Sequence, residues 1–485
     1  MNFQLPRRHT LKVHLAALAA LNAALFLPLI GRGYIQDDFV WIYDAAFQSR
    51  WYGFTHTTGG PFYSPIAWLT FKADWLLWGA PPFLLATENL ALHTLNVVLL
   101  YALALQLWRS KSAAWWTGLG YSLLFQANTW AMMWISTRAH ILATFFYLAA
   151  LNATLRYLRD DKDGLPYAVA AIAFAASAIF SKEIGVTVVA SMWLLAAYEQ
   201  RSYNRKLASA RNVILFAIML AVLAAYLALR AKSGAVPIFS QRIGYRYRIE
   251  PHFFLENLIR YSWRTFGLLI ILGSAVFAFV RIRPLDGRLL RPIIRRVLLS
   301  VALFAIGVTP VILLDERSGI YTYLPGYAAA LALGATTLAT TWPGPETPFR
   351  RLRSLPIILV VGVYCAFTVG HSLRWLRMAR TNTEIMNQIA AQRPNADPDT
   401  IFLLIYSKED SQHRFPESFR YGFRYAIRLA YKDNTIEGLI IGEDEAAHRR
   451  VRRRRTELRF LYIEGADPPR VVEVGRNQGR IIQSY

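Results

Sequence analysis

The chain has 485 residues, 55% of them hydrophobic and 14% aromatic, and only 18% are charged. Ordinary globular chains carry about 25% charged residues, so a soluble or disordered protein is excluded. The single cysteine, Cys365, excludes an intramolecular disulfide framework, and the net charge of +23 takes its meaning from where the basic residues fall.

A bilayer core of about 30 Å needs roughly 20 mostly apolar residues per helix, because lipid offers backbone polar groups no partner. Windows of that kind fall near 13–31, 83–107, 113–134, 139–157, 166–181, 184–199, 211–229, 264–281, 297–314, 321–341 and 355–372. They predict an all-α polytopic membrane protein with about 11 transmembrane helices. Lys and Arg near helix ends are retained on the cytoplasmic side. With the N-terminus inside, 21 of the 34 basic residues before position 373 lie in inside segments and 13 outside. The positive charge is then a topology signal, and no nucleic acid partner is needed to explain it. The first apolar run is read as a retained helix, since it is long for a signal-peptide core and lacks a clear cleavage site.

An odd helix count sends the C-terminus outside. The sequence therefore divides into a transmembrane domain, 1–372, with its first outside loop at 32–82, and a small extramembrane α/β domain, 373–485. In the latter, 401–406 and 458–463 read as strands and 416–432 as a helix. The basic run Arg449 to Arg455, broken only by Val451, reads as a solvated surface able to touch anionic lipid.

An ionisable side chain at membrane depth costs roughly 2.5–3.5 kcal/mol on insertion scales, so its presence asks for a pairing or a function. Such residues gather on the outer face. Asp37 and Asp38 follow the first helix, Glu88, Asn89 and His93 share a face of the second, and Arg138 and His140 occupy the next outer turn. Lys182 and Glu183 fall in SKEIG, and Asp315, Glu316 and Arg317 follow span nine. Each has a plain alternative: a solvated acidic loop, an interfacial ion pair for Lys182 and Glu183, a helix-packing hydrogen bond for His93, snorkelling for Arg138 and Arg317. The alternatives weaken together, because inner loops are nearly pure Lys/Arg while outer turns mix both signs. The aromatic stretch 62–78, interrupted by Lys72 and Asp74, suits a helix in the interface. The outside loop 230–264, with seven basic residues including Arg242 and Arg246, runs against the charge trend and suits a phosphate or headgroup surface. No metal-ligand spacing is visible, although an oxygen-ligated Mg²⁺ or Mn²⁺ leaves little sequence trace.

The stretches YSPIAWLTFKADWLLWGAPPFLLATENLALHTLNVVLLY, WAMMWISTRAHILATFFYLAAL, SKEIGVTVVASMWLLAAYE and ERSGIYTYLPGYAAALALG, in that order, resemble the membrane part of the transmembrane and tetratricopeptide repeat O-mannosyltransferases and their bacterial relatives, within the GT-C superfamily. The resemblance covers roughly residues 30–340. It departs from the family at Ser64, at His140 and at the inserted Ser318 and Gly319, and the repeat array is replaced by residues 373–485. It implies a GT-C-like fold and transfer of a hexosyl or pentosyl group from a polyprenyl-phosphate donor to a protein, glycan or lipid acceptor. The acidic pair of the first outside loop then maps to Asp37 and Asp38.

Transfer from a lipid phosphate needs a carboxylate to take the acceptor proton and a cationic clamp for the leaving phosphate. Asp37 is the expected base of an inverting reaction and Asp38 its orienting partner. Arg138, Lys182 and Arg317 are the expected donor-phosphate contacts, and His93, Glu88, Glu183, Glu316 and Tyr323 the expected substrate contacts. The Ala- and Arg-rich composition points to a bacterial cytoplasmic membrane, with the active face and C-terminus periplasmic. The competing expectation is a transporter or flippase of an amphipathic lipid, for which ionisable groups near the midplane and two related halves are the sign. No such repeat is visible.

Overall fold

The computed structural model describes residues 8–474 except 29, 31–32, 161–163, 204–208, 236–246, 280, 283–286, 342–349, 407–417, 420–421, 443–444, 447–455 and 464–469. The Arg449–Arg455 run and the loop positions Arg242 and Arg246 thus lie outside the described residues.

The chain opens with α1 (Arg8–Phe26), then builds its first long connection from α2 (Asp38–Phe47), α3 (Tyr52–Thr55) and α4 (Pro65–Trp78). There follow α5 (Pro82–Trp108), α6 (Lys111–Ser122), α7 (Phe125–Met133), α8 (Arg138–Arg159), α9 (Leu165–Ser181), α10 (Val188–Tyr203) and α11 (Ala210–Lys232). Next come α12 (Pro251–Ser262), α13 (Leu268–Phe279), α14 (Gly287–Val308), α15 (Gly326–Thr336) and the 43-residue α16 (Arg350–Gln392). Pro82–Trp108, Ile135–Arg159, Ala210–Lys232 and Ile358–Gln392 are each long and apolar enough to cross a membrane. The protein is an integral membrane protein. On α11 the large apolar side chains Val213, Ile214, Leu220 and Leu227 are exposed, as lipid-facing residues must be. Inside, α15 packs on α6 and α14 through small residues; a Cβ on Gly334 would meet Thr117 Oγ1 at 2.0 Å, so only glycine admits that approach.

Several expected spans are interrupted. The apolar run 113–134 breaks at Leu123 and Leu124 into α6 and α7. Asn128 compensates, its Nδ2 donating to the carbonyls of Tyr121 at 2.8 Å and Ser122 at 2.9 Å at the end of α6. The expected span at 184–199 begins with the 3₁₀ turn Glu183–Thr187, that at 321–341 follows the 3₁₀ turn Gly319–Thr322, and that at 264–281 begins in the π turn Trp263–Gly267. These turns set their polar residues at helix ends. The expected interfacial helix forms as α4, with Leu69, Leu76, Leu77 and Trp78 exposed and Trp68 and Phe71 buried.

α16 runs on past the apolar stretch, its 43 residues spanning about 65 Å at the standard rise. It leads to a mixed sheet. Two short strands, β1 (Arg281–Ile282) and β2 (Thr340–Thr341), pair apart from it. The sheet consists of β3 (Ile401–Tyr406), β4 (Glu437–Gly442), β5 (Glu457–Ile463) and β6 (Arg470–Val474) in the order β4-β3-β5-β6, with β6 antiparallel and the others parallel. Central β3 is buried on both faces: Phe402 and Leu404 meet Phe460 and the helix α17 (Phe423–Tyr431), and Leu403 and Ile405 meet Ile441. That two-sided burial explains why IFLLIY is a continuous apolar run. Gln388 and Gln392 of α16 reach the outer edge of β6: Val471 N donates to Gln388 Oε1 at 2.7 Å, Gln392 Nε2 to Val471 O at 2.8 Å, and Glu473 N to Gln392 Oε1 at 2.9 Å.

Candidate active site

The loop between α1 and α2 makes a tight turn at Ile35–Asp38, with Asp38 N donating to Ile35 O at 2.9 Å. Gln36 carries a φ of +45°, a left-handed conformation that a non-glycine residue adopts only under constraint. Asp38 is 1% exposed, and its carboxylate accepts from Ile35 N at 3.1 Å and Ser136 N at 2.7 Å. It thereby ties the turn to the 3₁₀ turn Ile135–Thr137. Burial pushes its pKa up to about 7; the two amide bonds oppose that rise and the neighbouring Asp37 adds to it. Asp37 is half-buried at the N-cap of α2, but its side chain makes no capping bond.

Lys182 lies in the turn between α9 and Glu183–Thr187, where a Cβ on Gly185 would come within 2.2 Å of the Ala178 carbonyl oxygen. Its side chain is buried, with Nζ 3.2 Å from Glu183 Oε2 and 3.3 Å from the centroid of the Phe62 ring. Burial lowers its pKa, while Glu183 and Asp37 pull it back upward and Arg230 lowers it further. Asp37, Glu183 and Arg230 are therefore each close enough to act on the charge of Lys182. Glu183 Oε1 also accepts from Tyr63 N at 3.4 Å. His140, buried on the first turn of α8, lies within the field of Lys182, 6.2 Å from the Tyr321 ring, with a buried Nδ1 that meets no hydrogen-bond partner.

Arg138 occupies a second group. It is 1% exposed and donates to Asp74 through Nη1, to Glu88 Oε2 at 2.8 Å and the Leu85 carbonyl at 3.0 Å through Nη2, and to Asn89 Oδ1 at 3.0 Å through Nε. Its guanidinium also lies 4.7 Å over the Phe71 ring. Arg138 thus joins α4, α5 and α8. Nearby, Lys72 Nζ donates to the carbonyls of Ala45 at 2.7 Å and Gln48 at 2.8 Å, capping the end of α2.

The remaining expected site residues belong elsewhere. Arg317 pairs through both Nη atoms with Glu256 of α12, each at 2.8 Å, and Glu256 also takes Arg260 at 2.9 Å. Glu316 shares with Arg260, Arg264 and Arg317 the electrostatic surroundings of Tyr261. His93 and Tyr323 are fully buried in an interhelical network, with His93 Nδ1 2.8 Å from Tyr323 Oη and Nε2 3.1 Å from Asn22 Oδ1, while Asn96 Nδ2 donates to Tyr323 Oη at 3.1 Å. Among the described residues, no group of three or more His, Cys, Asp or Glu side chains is placed to hold a metal ion. Sequence reasoning singled out Lys182 and Asp37 and noted Arg230 and Asp74 only as charges in a basic loop and an aromatic stretch; Asp74 pairs with Arg138 across 64 positions, a separation that leaves no local pattern.

No family model and no curated protein matches the chain. Among solved structures, the archaeal oligosaccharyltransferase AglB from Archaeoglobus fulgidus, in complex with an inhibitory peptide and a dolichol-phosphate, matches 85% of this chain and 64% of its own at 14% identity, with a TM-score of 0.50. The chain thus spans just under two-thirds of AglB's length. ArnT from Cupriavidus metallidurans in the apo state matches 84% of each chain at 16% identity, with a TM-score of 0.49. The same enzyme bound to undecaprenyl phosphate matches 88% of this chain and 90% of its own at 16% identity, also at 0.49. Identities this low speak to architecture alone: the chain shares its fold with the membrane part of AglB.

Proposed function

We propose that the protein is a membrane glycosyltransferase that moves a sugar from a polyprenyl-phosphate donor to an acceptor hydroxyl at the non-cytoplasmic face, with inversion. One observation carries the reading: a half-buried aspartate, Asp37, lies in the field of a buried lysine, Lys182, on a fold shared with an oligosaccharyltransferase solved in complex with a dolichol-phosphate. In the reaction, Asp37 takes the acceptor proton as the acceptor oxygen attacks the anomeric carbon, and the donor phosphate leaves with the bonding electron pair. Lys182, aimed by Glu183 and Phe62, meets the charge that develops on that phosphate. Asp38 holds the turn that presents Asp37. Arg230 adds positive charge beside the lysine, and His140 offers a hydrogen-bonding edge to the sugar. Arg317 and Glu316 fit an outer approach for the donor headgroup. Arg138, Glu88, His93 and Tyr323 hold the helices that frame the site. The transfer unit is residues 1–372 and the sheet-bearing unit 373–485, in a bacterial inner membrane with the site toward the periplasm.

The test is incubation of purified protein with a panel of radiolabelled polyprenyl-phosphate sugars. We expect carrier-dependent transfer of label, and Asp37→Asn to lower its rate by about 10²–10⁴-fold, the range of general-base help, without loss of folded protein. A fully active Asp37→Asn enzyme removes the assigned base; no transfer from any donor removes the reading.

A further inference from the structure

The turn that carries the two aspartates is held from the carboxy-terminal side of the chain. Asn382, on α16 beyond the apolar stretch, is fully buried, and its Nδ2 donates to the Tyr34 carbonyl at 3.0 Å and the Ser418 carbonyl at 2.9 Å. The Ser418 carbonyl also accepts from Gln36 N at 3.0 Å. One amide and one carbonyl thus bracket the residue with the positive φ. Around them the packing is close: Phe39 stacks on Phe419 at 5.6 Å, Tyr43 meets the Tyr425 ring at 5.0 Å, and Tyr43 Oη donates to Asn434 Oδ1 at 3.0 Å. A Cβ on Gly422 would fall 2.3 Å from the Gln36 carbonyl oxygen, so the loop before α17 touches the turn's backbone directly.

We propose that Asn382 is a positioning residue of the transfer reaction, fixing the Asp37–Asp38 turn against Ser418 so that the carboxy-terminal unit completes the catalytic apparatus. The proposal rests on the glycosyltransferase reading above. Its physical basis is conformational. A non-glycine residue in the left-handed region costs about 1–2 kcal/mol and persists only where its surroundings over-determine it. Released from Ser418 and Asn382, Gln36 relaxes to negative φ, and that rotation swings the following residue, Asp37. A displacement of about 1 Å at a reacting group can cost 10²-fold in rate.

The experiment pairs kinetics with hydrogen–deuterium exchange on the full-length protein, for Asn382→Ala and, pushing the same turn from the other side, Gly422→Ala. Arg393→Ala is the control; it breaks the exposed pair with Glu473 on the sheet, 2.6 Å long, and touches nothing at the turn. Both test variants should speed exchange across 34–38 and lower kcat by about 10–100-fold, with the donor KM changed less than about threefold. The control should leave exchange, kcat and KM unchanged. Melting temperature in detergent corrects kcat for folded protein. Unchanged exchange at 34–38 overturns the clamp, and faster exchange with an unchanged kcat overturns the positioning role. If the wild type transfers no sugar, it is the functional reading that fails, and exchange alone decides the clamp.

Discussion

Two buried cations stand at the ends of neighbouring helices, and they are held in opposite ways. Arg138 has four of its five N–H donors engaged, by two carboxylates, an amide oxygen and a backbone carbonyl, and an aromatic ring covers its face. Lys182 has one carboxylate at 3.2 Å, a ring beneath it and a second aspartate acting on it through its field. A cation ringed by two carboxylates and two further oxygens is a joint between helices; one held beside a carboxylate and an aromatic ring fits the proposed contact with a substrate anion. Depth in the protein does not separate the two, since both are buried. What separates them is the tally of acceptors.

The strongest way to break this comparison is to remove each cation. Arg138→Met strands Asp74 and Glu88 and should cost about 3–5 kcal/mol of stability, read as a large drop in melting temperature or in yield of folded protein. Lys182→Met should leave melting nearly unchanged and instead lower transfer by about 10²-fold, the usual loss when one preorganised charge contact goes. Equal destabilisation by the two variants would erase the distinction.

Asp38 sharpens it through pH. Its carboxyl is pushed from an ordinary value of 3.8 to about 7 by burial, so the folded chain holds a proton there that the unfolded chain has released. Stability from that proton is complete below about pH 4 and is lost as pH rises toward 7. The melting temperature of the wild type relative to Asp38→Asn should therefore fall between pH 4 and 7 and level off above; a difference that grows with pH would contradict the assignment. Asp44, raised to about 6 by burial, titrates in the same direction in both proteins and cancels. The smallest expected effect belongs to Lys72→Met, which uncaps α2 and should cost about 1 kcal/mol in a thermal melt.

Much of this architecture was legible in the chain. The polytopic membrane character could be read from the long apolar windows, and strands 401–406 and 458–463 because their apolar runs are short and dense. The break at 123–124 and the π turn at 263–267 were not, since hydropathy averages over a window and is blind to where Asn128 can supply donors. The candidate site was half legible. Asp37, Lys182 and Glu183 stand out as charge in apolar sequence, but nothing local distinguishes Lys182 from Arg138. Their difference lies in Asp74 and Asn89, which come from other helices. The Asn382 bridge to Tyr34 spans 348 positions and has no signature short of the fold itself.

The two glutamines that α16 lays along β6 matter beyond the fold of one molecule. An outermost strand with unfilled amides and carbonyls is a template on which a second chain can zip. In a membrane, where copies diffuse in two dimensions and meet in a fixed orientation, such an edge would invite linear polymers. Gln388 and Gln392 act as a counterfeit fifth strand, built from side chains and unable to propagate, so that neighbouring copies can crowd without their sheets fusing.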